Sequence, residues 1–343
     1  GNHANFAIML LEKIIFTLFF KWKYLIAILH AKFLKKNKNS DFKSITYVAR
    51  EADKDWIFGA KVRRLAKFSG LNATAYFHNR LRDLPDSDGY FFVFHQYFYR
   101  AMRHNPKILN KKNIVMFTHP NWTFSFSESH VIWCLNKADK VICLNSKVQQ
   151  ELIAAGLDAD KTSLIHIASD PDFFYPHERK IGSVGFCSAF GERKNPEMVY
   201  QLVKNMPERS FYLLGRYWEN FEKYDEMKNM PNLTYYSNED YSKYPEVYNK
   251  IDVFVSPSIL EGGPVPVLEA MLSNCFPIAS KTGFCPDVIS DGDNGFLFDI
   301  DAAYTKVMKL IKLADSKTVD VRQTALGHSW KNCSQKIDDL FLG

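Results

Sequence analysis

Two glutamates stand eight positions apart in Ser256-Pro257-Ser258-Ile259-Leu260-Glu261-Gly262-Gly263-Pro264-Val265-Pro266-Val267-Leu268-Glu269. A carboxylate accepts hydrogen bonds from paired hydroxyls, so Glu261 and Glu269 each suit a sugar ring. Gly262 and Gly263 remove side chains where backbone must come close to a ligand. The run after Pro264 reads as a helix, and the open N–H groups of its first turn suit a phosphate.

Other chemistries lack their residues. The ten His show no metal-ligand spacing, and Asp86-Ser87-Asp88 and Asp291-Gly292-Asp293 read as turns. No G-x-G-x-x-G follows an apolar run, which disfavours a dehydrogenase. The six Cys form no C-x-x-C pair, and most sit inside apolar runs such as Val141-Ile142-Cys143-Leu144. They are expected to be reduced, buried thiols of a cytosolic protein.

Short apolar runs alternating with helical patterns must position the glutamates. Strands are expected at Ile45–Val48, Phe91–Phe94, Ile114–Phe117, Lys140–Leu144 and Ser163–Ile167, and the apolar run Val131–Leu135 continues the pattern. Helices are expected over Trp56–Phe68, stopped by Gly70, and over Lys147–Ala155, closed by Gly156. Asp170-Pro171-Asp172-Phe173-Phe174-Tyr175-Pro176 reads as a linker, with Asp170 a hydrogen-bonder within it. The alternation then restarts, with strands at Ser183–Cys187, Phe211–Leu214, Leu233–Tyr236, Val253–Val255 and Pro277–Ser280 and helices over Pro196–Asn205 and Pro266–Ser273. Such alternation argues for two doubly wound α/β halves. Their ligands are expected at the carboxyl ends of strands, in a cleft between the halves.

The 343 residues carry 44 Lys and Arg against 38 Asp and Glu, a net +6. Residues 1–43 alone hold eight Lys, one Glu and one Asp, so the other 300 residues sum to zero. No basic surface for nucleic acid is spread over the body of the chain. Residues 6–34 read as a helix with Leu11, Leu18, Trp22, Leu25 and Leu29 on one face. Glu12, Lys13, Lys21 and Lys23 interrupt the apolar stretch and disfavour a membrane span. Lys32, Lys35, Lys36 and Lys38 follow, so residues 6–38 suit an anionic membrane surface, with packing on their own domain or on a second subunit as the alternatives. No secretory signal is apparent, and a cytoplasmic location, peripheral on the inner face of the cell membrane, is expected.

Several stretches resemble retaining glycosyltransferase family 4, in family order, over residues 45–340. The Glu261–Glu269 stretch resembles its E-x7-E signature. Ala138-Asp139-Lys140-Val141-Ile142-Cys143-Leu144-Asn145-Ser146 resembles its "ADxVIxxS" strand, and the run ending Ala168-Ser169-Asp170 its "KIxVIxxGVD" link. Lys194-Asn195-Pro196-Glu197 resembles the "KNPE" loop, Asp291-Gly292-Asp293-Asn294-Gly295-Phe296-Leu297 the "DGxNGxL" turn, and His328-Ser329-Trp330 the "FSW" start of the last helix.

The resemblance implies a GT-B fold of two Rossmann-like domains. The expected division is a basic helix over 1–43, an acceptor domain over 44–172, a nucleotide-sugar domain over 173–325 and a helix crossing back over 326–343. It implies that Glu269 binds ribose hydroxyls, Glu261 holds the donor sugar, and Lys194 with Arg193 neutralises the diphosphate. The N–H groups around Gly262, Gly263, Pro264 and Val265 would add to that, and His119 would lie near the donor sugar. No cofactor or metal is implied beyond the nucleotide-sugar donor. Ser188 and Ala189 stand where the family often has Gly-Arg, so Arg193 or Arg216 would supply that cation. Phe284 replaces a glycine of the donor loop, which would reshape the sugar pocket, and only Gly59 is retained of the glycine-rich loop near the first strand. The expected activity is retaining transfer of a sugar from a UDP- or GDP-sugar to a saccharide or lipid-linked acceptor, in bacterial surface polysaccharide or glycolipid synthesis. The rivals are a nucleotide-sugar epimerase of the same fold and a non-catalytic sugar- or membrane-binding scaffold.

Overall fold

The computed structural model describes residues 44–55, 57–118, 120 and 127–343, together with Ile14, Leu18, Trp22, Leu25, Ile26 and Leu29. His119 and most of residues 6–38 lie outside the described residues. The chain divides into a first unit that ends at Ile165 and includes Cys333–Gly343, and a second unit, His166–Asn332.

The first unit is built on a six-stranded sheet. Its strands are β1 (Ile45–Arg50), β2 (Ala73–His78), β3 (Gly89–Phe92), β4 (Lys112–Phe117), β5 (Lys140–Cys143) and β6 (Thr162–Leu164), in the order β2-β1-β3-β4-β5-β6. Every pairing is parallel. Strands covered on both faces read as unbroken apolar runs, and Ile45-Thr46-Tyr47-Val48-Ala49 and Asn113-Ile114-Val115-Met116-Phe117 are buried throughout. Edge strand β2 was invisible as an apolar run because Ala73-Thr74-Ala75-Tyr76 is only half covered. The run Val131–Leu135 lies in the helix Glu128–Leu135, not in a strand. Four of its five residues are buried, and an element covered on most sides loses the helical period that would identify it.

The end of the last helix, Trp330–Leu342, completes this unit. Asp338 accepts from Ser69 Oγ at 2.6 Å and from the N–H of Gly70 at 2.7 Å, closing the terminus of the helix Ile57–Phe68. Ser334 Oγ donates to the carbonyl of Leu65 at 2.8 Å.

Lys61, on the helix Ile57–Phe68, is 7% exposed, and its ammonium faces the Phe58 ring at 5.7 Å. Burial pulls its pKa down from 10.5 to about 8. The unfolded chain therefore binds more protons between pH 8 and 10.5, and stability rises across that window. Lys61→Met is expected to raise the unfolding free energy at pH 7 by about 1–3 kcal/mol and to flatten that rise. Urea unfolding at pH 7 and pH 10 checks it; an equal rise in both proteins would refute it.

The second unit carries β7 (Ser183–Ala189), β8 (Ser210–Arg216), β9 (Leu233–Ser237), β10 (Val253–Ser256), β11 (Phe276–Ser280) and β12 (Phe296–Phe298), in the order β12-β11-β10-β7-β8-β9. All these pairings are also parallel. Gly185 lets the sheet close on its helices, since a Cβ there would come within 2.2 Å of Ile251. Asp170 accepts from the N–H groups of Asp172 and Phe173 at 2.9 and 3.2 Å, the linker role expected of it. Asp291–Asp293 lies in the expected turn, whereas Asp86 and Ser87 lie in a loop without a turn and Asp88 at a bend. Asp88 accepts from the N–H of Ser44, Asp291 from that of Leu297, and Gly292 sits at φ +86°.

Ile14, Leu18, Trp22, Leu25, Ile26 and Leu29 are helical and exposed. Among the described residues no helix is long and apolar enough to cross a membrane.

Candidate active site

The carboxyl ends of β7 and β10 in the second unit bring two loops together. After β7 the chain makes a single turn, Glu192–Lys194, and then enters the helix Pro196–Asn205. Asn195 takes the left-handed conformation at φ 55°, and its side chain accepts from the N–H of Met198 at 3.3 Å. Pro196 presets the first helical turn. After β10 the chain runs through Glu261-Gly262-Gly263 into the helix Val265–Leu272. The carbonyl of Arg193 accepts from the N–H of Ile259 at 2.7 Å, which ties the two loops.

Glu261 is the meeting point. Its carboxylate is ion-paired with Lys194 Nζ through one oxygen and with Arg193 Nη1 at 3.2 Å through the other. The Glu261 side chain is 9% exposed and that of Lys194 18%, whereas Arg193 is 59% exposed. Lys194 is therefore the desolvated cation, and Arg193 acts through solvent-screened charge. The N–H of Glu261 donates to Thr282 Oγ1 at 3.0 Å, and Ser280 Oγ donates to the carbonyl of Ser258 at 2.5 Å. Gly283, at φ +57°, closes the loop from behind, where a Cβ would stand 3.0 Å from Glu261 Cβ. A side chain there would push on the carboxylate.

Among the described residues no side chain caps the N-terminus of the helix Val265–Leu272, and Pro266 adds no N–H. Its positive end adjoins Gly263, whose backbone comes close enough to Ile167 that a Cβ would lie 3.1 Å from it.

Glu269 sits differently from Glu261. It is 3% exposed and accepts from Tyr241 Oη at 2.7 Å and Tyr248 Oη at 2.8 Å, one phenol on each oxygen. Burial, with the charges of Cys187 and Glu269, holds the Tyr248 phenol well above its ordinary pKa. Tyr241 is fixed by stacking on Phe173, with centroids 5.2 Å apart. A carboxylate oxygen can accept more than one hydrogen bond. Nothing in sequence spacing pointed to these tyrosines, which lie 28 and 21 positions upstream of Glu269.

Other sequence-predicted residues fall nearby or elsewhere. Arg216 ends β8 beside Ala189 of β7, is exposed, and lies over the Tyr217 ring at 5.3 Å. Its charge reaches the Tyr244 phenol, which also feels Glu269. Ser188 is taken up by packing: its carbonyl accepts from Trp218 Nε1 at 2.9 Å. Phe284 was expected to reshape the sugar pocket. It is instead fully buried in the core, because its loop turns the ring inward. The next helical turn, Cys285–Val288, carries Asp287, which pairs with His166 at 3.1 Å, another contact not visible in the sequence. His95 is buried against Phe117 in the first unit. Among the described residues no group of three His, Cys, Asp or Glu is placed to hold a metal ion.

Residues 175–325 match the family model of glycosyl transferases group 1. The matched stretch, less than half of the chain, contains both loops of the site. It is 26% identical to the sulfoquinovosyl transferase SQD2 of Arabidopsis thaliana, over 64% of this chain and 48% of that protein. It is 23% identical to the UDP-Gal:alpha-D-GlcNAc-diphosphoundecaprenol alpha-1,3-galactosyltransferase of Escherichia coli, over 61% of this chain and 55% of that one. The chain thus spans about half the length of these two curated relatives. Among solved structures, the glycosyltransferase of Rickettsia africae superposes with a TM-score of 0.72 at 16% identity, covering 88% of this chain and 98% of that one. HepE of Anabaena, solved with UDP and glucose, superposes with a TM-score of 0.68 at 13% identity, covering 87% and 99%. The fold is GT-B.

Proposed function

We propose that this chain is a retaining hexosyltransferase that moves a sugar from a UDP-sugar to a saccharide or lipid-linked acceptor in the synthesis of a surface polysaccharide or glycolipid. The observation that carries the reading is the Glu261–Lys194–Arg193 cluster beside the uncapped N-terminus of the helix Val265–Leu272. The glycosyl transferases group 1 match spans this cluster. UDP is favoured over GDP because HepE was solved with UDP and with UDP-glucose, and the Escherichia coli relative is named for UDP-Gal.

In this reading Lys194 carries the charge that develops on the departing diphosphate, with Arg193 adding long-range attraction. The N–H groups of the Gly263 to Val265 turn face the same phosphates. Glu261, oriented by Thr282 and by its two cations, accepts hydrogen bonds from the donor sugar hydroxyls. Glu269, held by Tyr241 and Tyr248, accepts hydrogen bonds from the ribose hydroxyls. The bond from the anomeric carbon to the diphosphate oxygen breaks, the acceptor oxygen bonds to that carbon on the same face, and the acceptor proton passes to the leaving phosphate. His119 is proposed to lie near the donor sugar.

The acceptor is proposed to lie at an anionic membrane surface. The eight Lys of residues 1–43 and the exposed apolar positions Leu18, Trp22, Leu25 and Leu29 support this.

One assay tests both parts. UDP-glucose and UDP-galactose are supplied with and without diphosphate-linked acceptor in anionic vesicles, for the full chain and for a chain starting at Asp41. Acceptor-dependent release of UDP with an α-linked product is expected, and the shortened chain should lose vesicle binding. Conversion of one nucleotide sugar into another without acceptor would identify an epimerase. No turnover and no UDP binding would identify a scaffold. Equal vesicle binding by the two chains would remove the membrane.

A further inference from the structure

In the proposed donor complex the sugar, the diphosphate and the ribose meet Glu261, Lys194 and Glu269, and the base is left without a partner. The backbone of the second unit points to one. Among the described residues four that are not glycine take a positive φ: Asn195 at 55°, Tyr217 at 65°, Asn238 at 54° and Asn274 at 65°. The first three follow the carboxyl ends of β7, β8 and β9, three neighbouring strands, at the end of the sheet where such folds bind ligands. Asparagine enters the left-handed region readily and a bulky residue does not, so Tyr217 is the outlier.

Core packing does not explain the aromatic. Tyr217 is 46% exposed, and the Arg216 guanidinium lies over its ring at 5.3 Å. Its neighbours hold the strained backbone in place. Trp218 is fully buried, and its indole N–H donates to the carbonyl of Ser188 at 2.9 Å. At Gly215 the strands β7 and β8 come so close that a Cβ would stand 1.9 Å from the Ser188 carbonyl oxygen. Strained residues persist where their surroundings over-determine them, and they gather at ligand clamps.

Two backbone hydrogen bonds fix where Tyr217 stands. The carbonyl of Arg216 accepts from the N–H of Phe190 at 2.9 Å, on the loop that carries Lys194 four positions later. The carbonyl of Gly215 accepts from the N–H of Asn238 at 2.8 Å, three positions before Tyr241, the phenol on Glu269. Tyr217 is thus bracketed by the loop of the cation assigned to the diphosphate and the loop of the phenol that holds the carboxylate assigned to the ribose. A nucleotide seated on those two groups has its base as its remaining end. A planar base stacks on an aromatic face whatever its pattern of donors and acceptors.

We infer that Tyr217 is the stacking platform for the nucleobase of the donor. Arg216 takes one face of the ring and the base the other. This rests on the transferase reading for the nucleotide and adds the residue that holds its base. The strained backbone serves the ligand, not the fold, so stability and nucleotide affinity respond to Tyr217 in opposite directions.

The test titrates UDP and inorganic pyrophosphate by calorimetry against the full chain and its Tyr217→Asn and Tyr217→Phe variants, and melts all three proteins without ligand. Asparagine suits the left-handed backbone and lacks the ring. Tyr217→Asn should lose about 5- to 100-fold in UDP affinity, keep its pyrophosphate affinity, and melt about 2–4 °C higher. Tyr217→Phe keeps both ring and strain and should match wild type throughout. Equal UDP binding by wild type and Tyr217→Asn overturns the inference and leaves the donor reading standing. So does an equal loss for UDP and pyrophosphate, since the residue would then act on the phosphates. A lower melting temperature for Tyr217→Asn also overturns it, because the ring would then serve the fold. Wild type that binds neither ligand overturns the donor reading itself, and this inference with it.

Discussion

Replacing Lys194 by alanine is expected to lower sugar transfer by roughly 100- to 1,000-fold while the protein stays folded. Lys194 is mostly buried and contacts Glu261, whereas Arg193 contacts the same carboxylate from an exposed position. Charge on a departing diphosphate is stabilised most by a cation already stripped of water. Arg193→Ala is accordingly expected to cost only about tenfold, with a loss that shrinks as salt is raised. Glu261→Gln should fall as far as Lys194→Ala, because a neutral amide is a weaker acceptor for sugar hydroxyls and frees the cations from their partner. Single-turnover rates, read beside circular dichroism melts, check all three. Full transfer by both Lys194→Ala and Glu261→Gln would remove the catalytic assignment. Equal losses for Lys194→Ala and Arg193→Ala would refute the argument from burial.

Glu269 is expected to act on binding and on stability together, and the choice of substituent separates the two. Alanine would remove the acceptor that Tyr241 and Tyr248 share, leaving the wholly buried Tyr248 hydroxyl the longer contact to the carbonyl of Pro266 at 3.4 Å. Unsatisfied buried hydroxyls cost about 1–3 kcal/mol each, so Glu269→Ala should lose about 2–5 kcal/mol of folding stability. Glu269→Gln keeps an amide oxygen for one phenol and should lose less than half of that. Both variants lose the charge-assisted bonds to ribose, worth about 1.5–3 kcal/mol, or roughly 10- to 100-fold in nucleotide affinity. Urea melts and nucleotide titrations on the same two proteins check the pair of effects. A Glu269→Gln protein that binds nucleotide as wild type does would exclude the ribose role.

Much of the architecture was legible because parallel strands buried on both faces leave unbroken apolar runs. Ile114–Phe117 and Val253–Val255 are such runs, and each lies in a central strand. Edge strand β2 was missed because half of its surface is open, and Val131–Leu135 was not assigned to helix or strand because a buried helix segment has no polar face to mark its period. The Glu261 loop was visible through its Gly-Gly-Pro chemistry. Its ion pair with Lys194 spans 67 positions and left no signal, since the resemblance gave the two residues separate roles. The two tyrosines on Glu269, Thr282 beneath Glu261 and the bond between His166 and Asp287 left no signal, since each depends on which loops the sheet order brings together. Phe284 shows the converse. A departure from a motif looked functional, yet the side chain serves the core.

The central claim is that the second unit binds a nucleoside diphosphate through the Glu261–Lys194 loop pair and Glu269. Thermal-shift titration with UDP, GDP, CMP and ADP, on wild type and Glu269→Gln, tests it most directly. A ligand at 100 times its dissociation constant adds about 2.7 kcal/mol of stability, a shift of several degrees. UDP is expected to stabilise wild type, with the shift largely lost in Glu269→Gln. Stabilisation of neither protein by any of the four nucleotides would contradict the claim.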